Sequence, residues 1–301
     1  MTLKKQQENR KGKPSWLSRN LPSGAGYETM RAILKKNRLN TVCREARCPN
    51  IWECYARRTA TFLILGNICT RNCRFCAVRH GIPGAVDRGE PRRLAETVAE
   101  VGLDYVVITS VTRDDLSDGG AGVFADTIEA IRQCCPGVCI EVLIPDFQGS
   151  EEALRRVVDA APQVINHNIE TVSRLYDTVR PRADYHRSLK LLESTKKMDA
   201  SMVTKSGMMV GLGEGDEEIR RTFEDLAAAG CDVLTVGQYL QPAGSCLPVE
   251  RFVHPTEFDD LRRHAEGLGF PAVAGGPFVR SSYRARELYE QAKETTGSTD
   301  K

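Results

Sequence analysis

The residues best suited to chemistry in this sequence are its cysteines. There are eleven, and six of them form two groups of three: Cys43, Cys48 and Cys54, then Cys69, Cys73 and Cys76. An odd number excludes a complete set of intramolecular disulfides, and clustered cysteines without a secretory signal favour metal ligation. Three soft thiolates in each group suit zinc or an iron–sulfur cluster.

The second group, in the segment CTRNCRFC, directly follows the first predicted strand. A structural zinc site closes its fourth coordination position with a protein ligand. A four-iron cluster held by three cysteines instead leaves one iron free for a substrate. The alternative is a zinc knuckle with His80 as the fourth ligand, because zinc tolerates such cysteine spacings.

The elements that must position these thiolates alternate regularly from residue 61 onward. Short β-branched runs predict buried parallel strands at 61–66, 104–110, 138–145, 163–169, 206–212, 232–239 and 271–274. Amphipathic stretches between them predict helices at 91–101, 120–133, 151–160, 172–179, 185–198, 216–229, 256–267 and 283–294. This alternation predicts an α/β fold, either a doubly wound sheet or a closed or partly closed barrel. Both bind ligands at the carboxyl ends of the strands, where the second cysteine group would lie.

Composition and charge exclude some classes of protein. The chain has 301 residues, 41% hydrophobic and 27% charged, which is ordinary for a globular protein. Its apolar runs are far shorter than the roughly 20 residues of a membrane helix. Net charge is +2, yet residues 1–80 carry 17 Lys and Arg against 4 Asp and Glu. That imbalance predicts an acidic partner, or a solvated arm over the first residues; no nucleic-acid-binding motif accompanies it. We expect a cytoplasmic protein that binds neither nucleic acid nor membrane.

The pattern Cys-x3-Cys-x-aromatic-Cys, with Phe75 as the aromatic residue, resembles the cluster loop of the radical S-adenosylmethionine (SAM) enzymes. Together with the first group and the segment RSSY at 280–283, it resembles the lipoyl synthase family across nearly the whole chain. Segments 13–17 (KPSWL), 109–121 (TSVTRDDLSDGGA) and 166–171 (NHNIET) extend the resemblance. It implies a partial (β/α)6 TIM-type barrel whose N- and C-terminal extensions carry an auxiliary cluster. The implied divisions are a basic arm (1–25), an auxiliary-cluster extension (26–60), the barrel (61–275) and a C-terminal extension (276–301).

The resemblance also implies the chemistry. Cys69, Cys73 and Cys76 would hold a [4Fe-4S] cluster that binds SAM, and two SAM would be cleaved to 5′-deoxyadenosine and methionine. A second [4Fe-4S] cluster, the sulfur donor, would be held by Cys43, Cys48, Cys54 and the serine oxygen of Ser281. The product would carry two sulfur atoms, at C6 and C8 of an octanoyl chain on a lysine of a lipoyl carrier protein. Those C–H bonds are not acidic, so acid–base catalysis cannot activate them and a radical route is needed.

The implied partners are an octanoylated carrier, either a lipoyl domain or the glycine cleavage H protein, and an electron donor such as ferredoxin or flavodoxin. The basic N-terminal quarter could dock an acidic carrier. Two alternatives stay open: another two-cluster radical SAM sulfur transferase, or a non-catalytic metal-binding interaction protein. Iron and sulfide analysis separates the last from both enzymes, since two four-iron clusters need roughly eight of each.

Ser281 has a competing structural interpretation. Ser281 and Ser282 precede a predicted helix, so either could serve as its N-cap. Residue types alone favour the cap, and only the family resemblance makes Ser281 a ligand.

Weaker signals lie at other strand ends. Met209 and Gly211 belong to a pattern that backs the adenine in radical SAM enzymes, and Gly211-x-Gly213-x-Gly215 also resembles a dinucleotide loop. Asn168 is predicted either to hold SAM or to cap the next helix, whereas we expect its neighbour His167 to be structural. The cations of Arg180 and Arg182 could contact SAM, but a solvated loop is the favoured interpretation.

Overall fold

An eight-stranded sheet organises the molecule, with the strands in the order β1-β2-β5-β6-β7-β8-β9-β10. The computed structural model describes residues 12–18 and 25–297, so most of the predicted basic arm and the last residues of the polar tail lie outside the described residues. The strands are β1 (Asn40–Thr41), β2 (Thr61–Ile64), β3 (Ile68–Cys69), β4 (Arg79–His80), β5 (Tyr105–Ser110), β6 (Cys139–Leu143), β7 (Val164–Asn166), β8 (Val203–Val210), β9 (Val233–Gln238) and β10 (Ala272–Gly276).

Helices connect the parallel strands and cover the outside of the sheet. They are α1 (Ala25–Lys36), α2 (Val42–Glu45), α3 (Ile51–Ala56), α4 (Glu90–Val101), α5 (Ala121–Cys134), α6 (Glu151–Asp159), α7 (Tyr176–Val179), α8 (Tyr185–Met198), α9 (Asp216–Ala228), α10 (Pro255–Gly267) and α11 (Ala285–Gly297). Local side chains fix several of their ends. Ser150 accepts a hydrogen bond from the Ala153 N–H at the start of α6, and Asp184 accepts one from the Arg187 N–H at the start of α8.

The sheet is a partial barrel. From β2 to β10 its strands follow one another in chain order and are all parallel, whereas β1 pairs antiparallel with β2. A doubly wound sheet reverses strand order at a switch point, and this sheet does not. Within the described residues β10 does not pair with β2, so the barrel is open between these strands. The predicted fold class is confirmed.

The two extensions meet at the open side of the barrel. The Thr61 Oγ1 hydroxyl on β2 donates to Ser282 Oγ at 2.8 Å. The Asn50 Nδ2 amide, just before α3, donates to the Phe278 carbonyl oxygen at 2.7 Å. Segments separated by more than two hundred residues are thus joined by hydrogen bonds beside the first strand. The predicted domain limits at residues 60 and 275 stay predictions, and the hydrophobic core runs from α1 into the barrel without a break.

Helix α11 closes the amino end of the barrel. Its Leu288 and Ala292 pack against the first residues of four neighbouring strands, which are Val164, Val203, Val233 and Ala272. Parallel strands start at the same edge of a sheet, so one apolar helix face covers all four. This leaves the carboxyl ends of the strands as the accessible end.

Two of the local predictions that differ from the structure concern residues 27–60 and the start of β8. The sequence predicts one helical stretch within 27–60, whereas the structure has three helices in this part of the chain, α1, α2 and α3, separated by β1 and by turns. Strand β8 begins at Val203, three residues earlier than predicted, because the charged Lys205 lies inside the strand. The sequence signal for a strand is an apolar or alternating run, which a buried charge interrupts. None of the helices in the described ranges has the length and apolar character that a membrane crossing requires.

Candidate active site

A cavity of about 350 Å³ opens at the carboxyl ends of the strands. Its walls come from the barrel, the N-terminal extension and the segment before α11. Among the predicted site residues, those that line it are Cys43, Cys48, Cys69, Cys73, Phe75, Cys76, Asn168, Met209 and Ser281. Cys54 and Gly211 are not among the lining residues. The two cysteine groups therefore face one shared space, although they lie in different parts of the chain.

The second cysteine group lies on the loop that begins at the end of β3. Backbone N–H groups of Arg71 and Thr112 donate to Cys69 Sγ at 3.4 and 3.3 Å. The Val78 N–H donates to Cys76 Sγ at 3.5 Å. Hydrogen bonds to cysteine sulfur are one of the ways in which proteins tune iron–sulfur clusters. The loop thus supplies both the sulfurs and the donors around them.

Arg71 fixes this loop to two strand ends. Its buried guanidinium donates from Nε to Asp114 Oδ2 at 2.8 Å and from Nη2 to Asp146 Oδ1 at 2.6 Å. Burial would raise the pKa of Asp146, but the guanidinium outweighs it and holds that pKa well below its usual range. The loop is therefore anchored by two buried salt bridges of Arg71, with Asp114 and with Asp146. Sequence analysis did not single out Arg71, because its two partners follow other strands of the sheet.

Three thiols of the two groups, those of Cys43, Cys73 and Cys76, have a raised pKa and are neutral. Burial raises the pKa of Cys76 to about 12, and it also raises the pKa of Cys73. Burial and the nearby Cys48 raise the pKa of Cys43 to about 11. A metal that binds such thiols must displace their protons, and the thiolates then ligate strongly in a dry site. The donor set, soft sulfurs on the wall of a largely apolar cavity, fits iron–sulfur clusters.

The first cysteine group spans two short helices. Thr41 caps α2 by accepting from the Arg44 N–H at 3.4 Å, and Cys43 lies in the first turn. The Cys48 N–H donates to the Cys43 carbonyl oxygen at 2.9 Å, which closes the turn between them. Cys54 is on α3, half-buried and outside the cavity lining. All eleven cysteines are in the described part of the chain, and none forms a disulfide.

The structure separates the roles of the two neighbouring serines. Ser282 accepts the hydrogen bond from Thr61 described above, whereas no hydrogen bond of the Ser281 hydroxyl is found within the described residues. Both line the cavity. Helix α11 begins at Ala285, so neither serine occupies its N-cap position, and the capping interpretation is wrong. Ser281 thus presents a hydroxyl without a protein partner to the same space as the cysteines.

Polar groups without partners line the barrel side of the cavity. Asn168 donates from Nδ2 to Glu170 Oε1 at 3.0 Å, but its buried Oδ1 has no partner within the described residues. Arg180 Nη1 donates to the Asn168 carbonyl oxygen at 2.9 Å, and the Arg180 Nε is likewise without a partner, as is Ser110 Oγ. Burial raises the pKa of Glu170. Unsatisfied buried polar atoms around a cavity are the pattern expected where a polar ligand binds.

The structure contradicts two predictions, the helix cap at Asn168 and the solvated loop at Arg180. Asn168 caps no helix, because the 3-10 helix that follows it (Ser173–Leu175) has Val172 at its N-cap. The predicted solvated loop at Arg180 is wrong: Arg180 is half-buried and lines the cavity. Arg182 is exposed, as predicted, and donates to the Thr70 carbonyl oxygen at 2.9 Å. Ser110 and Glu170 lie in segments 109–121 and 166–171, which carry the family resemblance, but neither was predicted as a site residue.

Met209 and Gly211 end strand β8 in different ways. Met209 lines the cavity, whereas Gly211 adopts a φ of 103° that favours glycine. A Cβ atom on Gly211 would collide with the Gln238 side-chain amide. Glu214 accepts hydrogen bonds from the Gly211 and Leu212 N–H groups. The glycine and the glutamate together form a tight turn that lets the strand end beside the cavity.

The two histidines considered in the sequence lie in opposite environments. His167 is buried, with Nδ1 2.8 Å from the Ile144 carbonyl oxygen and Nε2 3.1 Å from Ser188 Oγ. Burial lowers its pKa to about 4, so it is a neutral structural residue. His80 is exposed on β4. No three His, Cys, Asp or Glu side chains in the described residues, the cysteines of both groups included, gather as a site for one metal ion.

Comparison with known proteins identifies the class of protein. A model of the radical SAM superfamily matches residues 63–226. Among solved structures, methylornithine synthase (PylB) is similar with a TM-score of 0.53 and 15% identity, over 84% of this chain and 79% of that one. SuiB from Streptococcus suis bound to S-adenosylmethionine also gives 0.53, with 14% identity over 84% and 54% of the two chains. These structures share the fold. The chain belongs to the radical SAM superfamily.

Within that superfamily the chain belongs to the lipoyl synthase family. A model of the N-terminal domain of lipoyl synthase matches residues 1–48. Lipoyl synthase of Desulfotalea psychrophila is 56% identical over 96% of this chain and 97% of its own length. Lipoyl synthase of Alkaliphilus metalliredigens is 51% identical over 95% and 99%. The chain is therefore an enzyme, a sulfurtransferase that uses [4Fe-4S] clusters and SAM, which confirms the predicted family, activity class and cofactors.

Proposed function

We propose that this chain inserts two sulfur atoms at C6 and C8 of an octanoyl chain attached to a lysine of a lipoyl carrier protein. The observation that carries the proposal is the shared cavity, whose wall includes cysteines of both groups and Ser281. A reaction that takes hydrogen at one centre and delivers sulfur from another needs both centres to reach the same substrate carbons. Family membership supports the same reaction.

In this proposal Cys69, Cys73 and Cys76 hold the cluster that binds SAM. When bound, that cluster with SAM supplies one-electron chemistry strong enough to break an unactivated C–H bond. The chain's own part is positioning. Arg71 anchors the loop through Asp114 and Asp146, and backbone N–H groups donate to the sulfurs of Cys69 and Cys76. Water is kept out by the apolar side chains that form most of the cavity wall.

The unpartnered polar atoms fit the polar parts of SAM. We assign Asn168 Oδ1 as an acceptor for a hydroxyl or amino group, and Arg180 as a donor and cation for the carboxylate. Phe75 and Met209 supply apolar surface for the adenine, and Gly211 shapes the strand end behind it. The assignments of Asn168 and Arg180 pair a polar atom that the described residues leave without a hydrogen bond with a polar group of SAM.

For the auxiliary cluster we propose Cys43, Cys48, Cys54 and Ser281 as ligands. When bound, this cluster supplies the sulfur atoms. A serine oxygen is a harder ligand than a thiolate and matches iron less well, so its bond is the one most easily given up. Thr61 holds the neighbouring Ser282 by a hydrogen bond, which fixes the turn that presents Ser281.

The reaction is tested with anaerobically purified enzyme, SAM, a reductant and octanoylated carrier. Mass spectrometry should show a carrier that has gained two sulfur atoms, and roughly eight iron and eight sulfide per chain should be bound beforehand. Unmodified carrier with normal SAM cleavage would instead indicate a sulfur transferase acting on a free small molecule. Bound metal without sulfide and without SAM cleavage would indicate a non-catalytic metal-binding protein.

Replacement of Ser281 by cysteine tests the weak-ligand assignment. A fourth thiolate should hold the cluster more tightly, so Ser281→Cys is expected to keep its iron and to lose most sulfur insertion while SAM cleavage continues. Ser282→Cys, at the adjacent position, is the matched control and should retain insertion. Wild-type turnover by Ser281→Cys would contradict the assignment.

We also propose ferredoxin or flavodoxin as electron donor, a lipoyl domain or the glycine cleavage H protein as carrier, and the cytoplasm as compartment. The reaction supports the first two, since it needs single electrons and a protein-bound octanoyl group.

A further inference from the structure

Beside the cavity mouth, the chain exposes an apolar loop. Residues 81–86, GIPGAV, contain no polar side chain, and four of the six residues are exposed. Ile82 is 93% exposed, against 37% for Trp16, the other large exposed hydrophobic residue of the described chain. Single exposed apolar side chains are common, but a run of them beside a binding site is typical of an interaction surface.

The loop is held in place at the edge of the cavity. The Gly81 N–H donates to the carbonyl oxygen of Cys69, a cavity residue, at 3.0 Å. The buried Arg113 donates from Nη2 to the Gly84 carbonyl oxygen at 3.1 Å. Val86 packs against the main core. These contacts hold the loop in place, so the side chain of Ile82 is exposed without any movement of the loop.

Unpaired cations lie at both ends of the loop. Arg79 precedes it and Arg88 follows it, both exposed, and neither forms an ion pair with an acid within the described residues. The acids nearby are already bound to arginines: Asp87 to Arg93 at 2.7 Å, and Asp115 to Arg113 at 2.8 Å. The loop with its two flanking arginines, hereafter the rim patch (residues 79–88), thus offers apolar contact between two positive charges.

We propose that the rim patch docks the carrier protein, with Ile82 in contact with an apolar residue of the carrier and Arg79 and Arg88 facing carboxylates on it. This inference rests on the proposed function. A substrate tethered to a protein by one lysine can reach the cavity only if the carrier sits on the rim. An apolar anchor between charges complementary to the partner is the usual composition of a protein interface.

The test compares two substrates of the holoenzyme, with dithionite as the reductant. One is the whole octanoylated carrier, and the other is a short neutral peptide with an octanoyl-lysine. For Ile82→Glu and for Arg79→Glu/Arg88→Glu, KM for the carrier should rise by about tenfold, which corresponds to a loss of about 1.4 kcal/mol of docking free energy. KM for the peptide should stay within about twofold of wild type, since the peptide has no surface to dock. Added salt should raise the wild-type carrier KM more than that of the arginine double variant.

The matched control reverses two exposed cations away from the mouth, Arg155→Glu/Lys293→Glu on α6 and α11, and should leave both KM values unchanged. Ile82→Ser gives a second, uncharged variant, and iron content verifies folding in each case. An unchanged carrier KM, or an equal rise with the peptide, overturns the proposal. So does a defect seen only when flavodoxin replaces dithionite, which would make the patch an electron-donor site. If the wild type modifies neither substrate, it is the proposed function that fails.

Discussion

The two ends of the barrel treat buried polar groups in opposite ways. Toward the closed end, Lys205 Nζ lies 3.0 and 3.1 Å from the two oxygens of Glu141, and both side chains are almost fully buried. The Tyr105 hydroxyl and the Asn166 amide donate to the same carboxylate at 2.7 and 3.1 Å. Apart from Asn166 Oδ1, the network is satisfied by protein groups alone.

At the open end, Asn168, Ser110 and Arg180 keep polar atoms that have no partner in the described part of the chain, and burial raises the pKa of the Cys73 and Cys76 thiols. Lys205 is two residues before Gly207 on β8 and faces the same side of the sheet, so the two environments are adjacent layers of one barrel. The closed end therefore provides stability, whereas the open end leaves groups unsatisfied for ligands to complete. Substitutions at the closed end should therefore lower the free energy of unfolding, whereas substitutions at the open end should change cofactor binding and activity.

The largest expected effect is the replacement of a cluster cysteine. Cys73→Ala should abolish SAM cleavage and remove about half of the bound iron, leaving roughly four atoms per chain, because in the proposed function one of two four-iron clusters loses a ligand. Cys231→Ala is the control at the other end: this cysteine is just as free of disulfides, is buried, and donates to the Val233 carbonyl oxygen at 3.3 Å. It should keep its iron and its activity. Equal iron loss in both variants would contradict the division between the ends.

The next effect in size concerns the closed end. Lys205→Met leaves the Glu141 carboxylate buried without its cation, and should lower the free energy of unfolding by about 3–5 kcal/mol. Urea denaturation of the cluster-free protein measures this. The double variant Lys205→Met/Glu141→Leu should recover part of the loss, because the uncompensated charge is gone, although the Tyr105 hydroxyl and the Asn166 amide lose their acceptor. If the single and double variants have the same free energy of unfolding, the stability of the closed end depends on the packing of the Lys205 side chain and not on its charge.

Much of this architecture could be predicted from the sequence. The strands β2 and β5 to β10 and the long helices follow from local patterns, and the cysteine spacings mark the loops that carry the thiols. The two-residue strands β1, β3 and β4 have no such pattern. What was missed depends on contacts between distant segments. The pairing of Glu141 with Lys205 joins β6 to β8, and neither residue has a neighbour in sequence that announces the other. The sequence likewise predicts a solvated loop at Arg180, because only the contacts between distant segments turn this side chain toward the cavity.

The pH dependence of stability separates the two ends further. The folded pKa of His167 is about 4, below its ordinary value of 6.5, so between these values the unfolded chain binds a proton that the folded chain does not. Stability should fall as pH decreases from 6.5 to 4, by up to about 3 kcal/mol at 1.36 kcal/mol per unit, and should be unaffected by this residue above pH 6.5.

His167→Gln removes this titration and is the comparison to make in the cluster-free protein. The carboxyl groups of Asp146 and Glu170, whose pKa values are also shifted, are present in both proteins. Asp146 loses stabilisation only below its ordinary value of 3.8, and Glu170, whose pKa is raised, acts in the opposite direction. The difference between the two stability curves therefore reports His167 alone. Parallel curves from pH 6.5 to 4 would show that the imidazole is not held neutral.

The smallest effect tests the open end at a single atom. Asn168→Ala removes an amide oxygen that has no partner within the described residues, and with it the amide donor to Glu170 Oε1, so the free energy of unfolding should fall by about 1 kcal/mol. A hydrogen bond to a ligand contributes about 1 kcal/mol, so KM for SAM should rise about fivefold. Asn166→Ala, two residues earlier on the same chain, is the matched control. Its amide donates to Glu141, so its loss should reduce stability and leave KM for SAM unchanged. Both changes replace an asparagine that has one oxygen without a partner in the described residues. If Asn166→Ala raised KM for SAM as much as Asn168→Ala, the SAM site would extend deeper into the barrel than the cavity lining indicates.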